Sequence, residues 1–239
     1  MDEAAFLAEY DAAAFERPSV TVDLVLMSVV DGAPCALLRK REQHPCHGAW
    51  ALPGGFVGIK ESAEDAARRV LGSKAQLEDA YLEQLYTFGR VDRDPRTRVI
   101  TIAYFALLPA ERFAAALRAS PDLALAEIVL PEDTAAGQAE CCSADGEPLP
   151  LAFDHGEILA LALQRLRGKL DYSAIAFALL PELFTLRQLQ DIHEAILGAR
   201  LNKPAFRRRM LDRGWLEGTG ERETGASFRP AELYRYRPQ

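Results

Sequence analysis

Two groups of residues in this chain are of types that suit phosphates, and the second is also closely spaced. In the first, Arg39 at the end of a β-rich run and Arg93 in a polar loop suit bidentate hydrogen bonding to phosphate oxygens. Phe88 or Trp50 offers a ring for stacking a base, with Trp50 equally readable as core, and Phe56 follows the glycine pair Gly54-Gly55. His155 adds a titratable ring, to which no catalytic role is assigned. The second group is the run Arg200, Lys203, Arg207, Arg208, Arg209 and Arg213 against Asp212 alone, a net +5 over 14 residues. Residues 1–170 carry a net −9 and residues 171–239 a net +2, within a total of −7 over 239 residues. A basic patch on an acidic body predicts a polyanion as the partner of that patch.

The elements that must position these groups fall into two kinds. Val20 to Val30 and Cys35 to Leu38 are β-rich runs around the turn signal Asp31-Gly32-Ala33-Pro34. Tyr81 to Phe88 and Arg98 to Leu108 predict two further strands, joined by the polar segment Gly89 to Thr97. Between them Ser62 and Asp65 form a capping-box pattern for a helix with Ala63, Ala66, Ala67, Val70 and Leu71 on its apolar face. Asp154 with Glu157 predicts another capped helix running to about Leu166, and residues 131–150 have the composition of a surface loop.

The last third reads as helical until near its end. Thr185 and Gln188 predict a capped, amphipathic helix ending at Gly198, and Asn202 caps a second one with Pro204 in its first turn. On that second helix Phe206, Met210 and Leu211 fall on one side and Ala205, Arg208, Arg209 and Asp212 on the other. Trp215 to Glu217, a tip from Gly218 to Ser227, and Phe228 to Tyr236 then predict a hairpin wing, with Arg222 and Arg229 on or beside the tip. Helix, short turn, basic helix and wing make a winged helix-turn-helix, whose candidate DNA contacts are Asn202, Lys203, Arg207, Arg208, Arg209, Arg222 and Arg229. A junction near Gly168 to Asp171 divides the chain into residues 1–170 and 171–239.

Gly55, Glu61, Arg69 and Leu71 align with the Nudix box, G-x5-E-x7-R-E-U-x-E-E-x-G-U, so the first unit resembles a Nudix domain. The departures are as informative as the matches. Where that family places the glutamates that bind Mg²⁺ and help activate water, this chain has Val70, Ser73 and Lys74, and Gln76 replaces the final glycine. Of the box carboxylates only Glu61 survives, so no metal site and no catalytic residue is expected. Lys74 is a candidate cation for a ligand's phosphates in place of the metal's charge, or simply a solvated helix residue.

Gln43 to Trp50, Tyr86 to Arg96 and Leu151 to Leu159 resemble the ADP-ribose-type Nudix proteins. Thr185 to Arg209 followed by Arg229 to Tyr236 resembles the C-terminal domain of the NrtR family, the Nudix-related transcriptional regulators of NAD metabolism. The resemblance implies an α+β chain, a Nudix α/β/α sandwich with a mixed sheet followed by a winged helix-turn-helix domain. It further implies a homodimeric repressor that senses ADP-ribose or a related nucleotide, needs no other cofactor, and binds a palindromic double-stranded DNA operator. Two rivals stay open: an ADP-ribose pyrophosphatase with a regulatory winged-helix appendage, and a module whose basic helix docks an acidic protein. The enzyme would need compensating acids such as Glu61, Glu64, Glu78 or Asp79.

Composition narrows the remaining classes. With 49% hydrophobic and 26% charged residues the chain is neither disordered nor fibrous, and no apolar run is long enough to span a bilayer. The start Met1-Asp2-Glu3 is acidic where a secretory signal is basic, which predicts a cytoplasmic protein. Cys35, Cys46, Cys141 and Cys142 form no C-x-x-C pair, so neither a disulfide framework nor a zinc site is expected.

Overall fold

The structure is a computed structural model and describes residues 2–77, 80, 82–131, 137–224 and 230–238. After a short exposed helix, Glu3–Glu9 (α1), the chain enters Ser19–Val30 (β1), a strand rich in β-branched residues and buried on both faces. Alternation with period two sends Val22, Leu24 and Leu26 into one core and Val25 and Met27 into another on the opposite side of the sheet. Asp31 and Gly32, both at positive φ, turn the chain into Ala33–Lys40 (β2), with Val30 opposite Ala33.

Trp50–Ala51 (β3) and Gly54–Phe56 (β4) pair with β2 and β1, and Ala63–Ala75 (α2) follows. Glu83–Phe88 (β5) runs antiparallel to Val99–Leu107 (β6), which lies parallel to β1. Ala110–Ala119 (α3), Leu123–Val129 (β7) and Glu140–Cys142 (β8) complete a mixed sheet of order β5-β6-β1-β2-β7-β8 among the described residues. Helices α2 and α3 cover one face, and His155–Lys169 (α4) covers the other.

Beyond α4, Leu186–Leu197 (α5) and Lys203–Asp212 (α6) precede the antiparallel pair Leu216–Arg222 (β9) and Glu232–Tyr236 (β10). Thr185 and Gln188 form the reciprocal capping box of α5, and Gly198 closes that helix in the left-handed conformation. Leu189, Ile192, Ile196, Phe206, Met210 and Tyr234 pack together, in continuity with Leu159 and Leu163 of α4 and with Met27 of the sheet. The winged helix and the sheet therefore share one hydrophobic core through α4. Arg167 near the end of α4 ties the two further, donating to the Ile196 carbonyl of α5 at 2.7 Å.

Several expectations change on this frame. Asp154 precedes α4 without capping it, because its carboxylate is taken by Arg93, and the helix continues to Lys169. Residues 131–150 are not all loop: β8 lies within them and pairs with β7, burying Cys141. The wing strand β9 runs through Gly218 to Arg222, where a tip was expected. Leu211 is 44% exposed, so the buried stripe of α6 is Phe206 and Met210. Helix α2 passes through Gly72 and ends at Gln76, which caps it at φ 56. Tyr81, Glu78, Asp79 and Arg229 lie outside the described residues.

Gln76 holds a left-handed position that glycine occupies at a cost lower by about 1 kcal/mol, so Gln76→Gly is expected to raise the melting temperature by roughly 2 to 4 °C in a thermal melt. His155 and His193 are buried, and burial lowers both imidazoles below the ordinary histidine range. Unfolded histidines take up protons as pH falls below about 6.5 while these two resist, so their contribution is full above that pH and lost below it. Urea midpoints should fall between pH 7.5 and 5.5, and less steeply in His193→Gln.

Candidate functional site

The segment from Leu52 to Phe56 carries its glycines where backbones crowd. A Cβ at Gly54 would come within 2.3 Å of the Asp23 carboxylate and 2.9 Å of the Val22 carbonyl, so only glycine lets β4 lie on β1 beside that acid. The Leu52 N–H donates to His155 Nδ1 at 2.9 Å, which fastens this loop to the first residue of α4. With Nδ1 accepting, the proton sits on Nε2, 3.8 Å from Asp23.

Behind the loop lies a buried ionic cluster. Arg93 is 6% exposed and forks onto Asp154 with bonds of 2.8 and 2.7 Å, with Asp23 at 3.4 Å. Burial opposes the charge on Arg93, and the two carboxylates more than offset it. The cluster ties the loop after β5, strand β1 and the start of α4 to one another.

In front of the cluster opens a cleft of about 400 Å³ at the end of β2 and β4. Of the residues singled out from sequence, Arg39, Phe56, Lys74, Arg93 and His155 line it. Arg39 pairs with Asp122 at 2.5 Å while remaining half-exposed, and Phe56 is 51% exposed. The Lys74 ammonium donates to the Gly54 carbonyl; burial, with Arg39 and Arg69 nearby, lowers its pKa below that of an ordinary lysine.

Three other candidates stand elsewhere. Glu61 is gripped by Arg69 at 3.0 and 2.5 Å and accepts from the Gly58 N–H, so it clamps the loop between β4 and α2. Arg69 and that backbone bond hold its carboxyl at about 2. Trp50 packs against the core beneath Lys40, and Phe88 sits edge-on to Tyr86 at the border of the same core. Both rings are used in packing away from the cleft. Arg93 also departs from expectation, because its hydrogen-bonding fork faces carboxylates of the chain itself. Sequence reasoning missed Asp23, Arg41, Arg96 and Phe153, which line the cleft from four separate segments. A single charged residue inside an otherwise uncharged strand was the one signal that marked Asp23.

In the C-terminal unit, α6 presents its basic residues. Lys203, Arg207 and Arg208 are exposed; Arg208 leans toward Asp212 at 3.7 Å, and Arg207 lies beside the Tyr234 hydroxyl. Arg209 instead turns back over the Phe206 ring and toward Asp171. Asn202 is exposed but spends its side-chain oxygen on the Ala205 N–H at 3.0 Å. Arg222 is exposed on the wing and donates to the Pro230 carbonyl at 2.9 Å.

Residues 17–145 match the NUDIX domain, and residues 176–236 match the NrtR DNA-binding winged helix domain. The chain is 39% identical over 236 residues, 98% of its own length and 88% of the relative's, to the ADPR-responsive transcriptional repressor NtrR of Acinetobacter baylyi. It superposes on Shewanella oneidensis NrtR complexed with a 27mer DNA with a TM-score of 0.75 and 33% identity, covering 91% of this chain and 93% of that one. The NUDIX domain of the same Shewanella protein complexed with ADP ribose gives 0.50 and 31%, covering 70% and 99%. With both domains matched in order and a relative of that identity over nearly the whole length, the chain belongs to the NrtR family of Nudix-related regulators.

Proposed function

We propose that the protein is a DNA-binding repressor that senses ADP-ribose or a closely related nucleotide in the cleft and does not hydrolyse it. The observation that carries this reading is the charge of the cleft wall: Lys74 presents an ammonium where the Nudix pattern asks for a metal-binding glutamate. The donors around it do not fit a divalent ion. Val70 and Ser73 fill the neighbouring box positions, Glu61 is committed to Arg69, and no group of three or more His, Cys, Asp or Glu suited to one metal exists among the described residues. Arg39, Arg41 and Lys74 instead supply fixed positive charge for a pyrophosphate, and Phe56 an exposed ring.

The exposed basic face of α6 supports operator binding, with α6 entering the major groove and the β9–β10 wing beside it. A twofold dimer on a palindromic site fits this geometry, as do targets among genes of NAD metabolism. The names of the Acinetobacter and Shewanella relatives support the same nucleotide and the same class of partner. ADP-ribose can displace DNA only by binding more tightly to the conformation that DNA does not select.

Titrating ADP-ribose into the full chain with Mg²⁺, while following heat and AMP in one sample, is expected to show binding without AMP release. Sustained release of AMP would return the enzyme reading. In salt-dependent mobility shifts on a duplex selected from a random pool by the wild-type protein, the double variant of Lys203→Ala and Arg208→Ala should flatten the salt dependence by about one ion for each phosphate that it no longer neutralises. Arg209→Ala alone, a residue that already faces Asp171, should change it less.

A further inference from the structure

One side chain in the cleft is held in a conformation its type disfavours. Phe153 has φ 53, in the left-handed region where a bulky residue is a genuine outlier. The chain around it is fixed on both sides: the Ala152 N–H donates to the Trp50 carbonyl at 2.8 Å, Asp154 holds Arg93, and His155 holds the Leu52 N–H. Such over-determined strain is concentrated at functional positions. Here it turns the Phe153 ring into the cleft, where the Arg41 guanidinium lies over it, 4.7 Å from its centroid. Arg41 is steadied from its own loop as well, its Nε donating to the Pro45 carbonyl at 2.9 Å.

This stack adds a side-chain link between the loop after β2 and the start of α4, beside the backbone bond from Ala152 to Trp50 and the bond from Leu52 to His155. Arg41 follows β2 at the mouth of the cleft, while Phe153 stands two residues before α4. At its other end α4 reaches α5 through the bond from Arg167 to Ile196, and α5 packs against α6 in one core. A ligand anion that recruits the Arg41 guanidinium must alter its seat on Phe153, and Phe153 has no slack in which to absorb the change.

We propose that Arg41 stacked on Phe153 is the contact through which a pyrophosphate-bearing ligand in the cleft biases α4 and, through it, the DNA-binding helix. Arg41 is the anion contact; Phe153 is a positioning residue that acts through Arg41 and α4. The proposal rests on the reading of the cleft as the nucleotide site.

The test measures the affinity of the full chain for the pool-selected duplex, with and without saturating ADP-ribose, and takes the ratio. The ratio at saturation does not depend on how tightly a variant holds the ligand, so mere loss of affinity does not move it. The wild type should give a ratio of about tenfold or more, within the usual range of such couplings. Phe153→Gly, which removes the ring and relieves the backbone, and Phe153→Leu, which keeps apolar bulk without a π face, should both fall to within about twofold of unity while still binding ADP-ribose. Phe153→Tyr should retain the wild-type ratio. Wild-type coupling in both the Gly and Leu variants would overturn the proposal. Complete loss of ADP-ribose binding in both would equally do so, by making Phe153 part of the binding site alone. A wild-type protein that fails to bind ADP-ribose would sink the reading of the cleft itself, a result recognisable before any variant is made.

Discussion

A guanidinium sealed from water is tolerated only if carboxylates surround it, and Arg93 meets that constraint with Asp154 and Asp23. Three segments distant in sequence are drawn to one point as a result: the loop after β5, the middle of β1 and the start of α4. Once α4 is fixed there, His155 is delivered to the Leu52 N–H and Phe153 to the mouth of the cleft. Deleting one partner of such a pair leaves a buried charge uncompensated, which typically costs about 3 to 5 kcal/mol. The shape of the cleft thus hangs on an ionic cluster buried at its back.

The cleft keeps the scaffold of a phosphate-handling loop and helix while reversing the charge of its wall. Helix α2 retains the Nudix arrangement of loop, Glu61 and Arg69, and that ion pair closes the loop against the helix. One turn further on, Lys74 reaches back to the Gly54 carbonyl with an ammonium that stays close to Arg39 and Arg41. A wall of this sign attracts a pyrophosphate without help and offers little to a hard cation, which needs anionic oxygens.

Between cleft and wing the described residues of the sheet, α4, α5 and α6 pack in one continuous core. The apolar face of α4 serves the sheet on one side and α5 on the other, and Arg167 adds a hydrogen bond at the far end. Close-packed interiors transmit displacement because there is no free volume in which to lose it. Helix α4, which begins two residues after Phe153, and helix α6 thus belong to one packed core.

The sequence by itself determined the local pieces. The capping boxes at Ser62 and Thr185, the Asp31-Gly32 turn, the β-rich run that becomes β1 and the spacing of Phe206 and Met210 depend on neighbours a few residues apart, and all were legible. So were the two domains, because the Gly54–Gly55 loop, Glu61 and Arg69 keep a fixed spacing and α6 concentrates its charge. Tertiary structure decided where long-range partners go. Asp154 looks like a helix cap in sequence, yet Arg93, 61 residues away, offers it two charge-assisted bonds in a dry interior, stronger than a cap in water. Trp50 and Phe88 look like stacking rings, yet burying their area against the core outweighs leaving them in an open cleft. Asp23, Arg41 and Phe153 drew no notice as residues, because what defines each is a neighbour from another strand or loop that only the folded chain supplies.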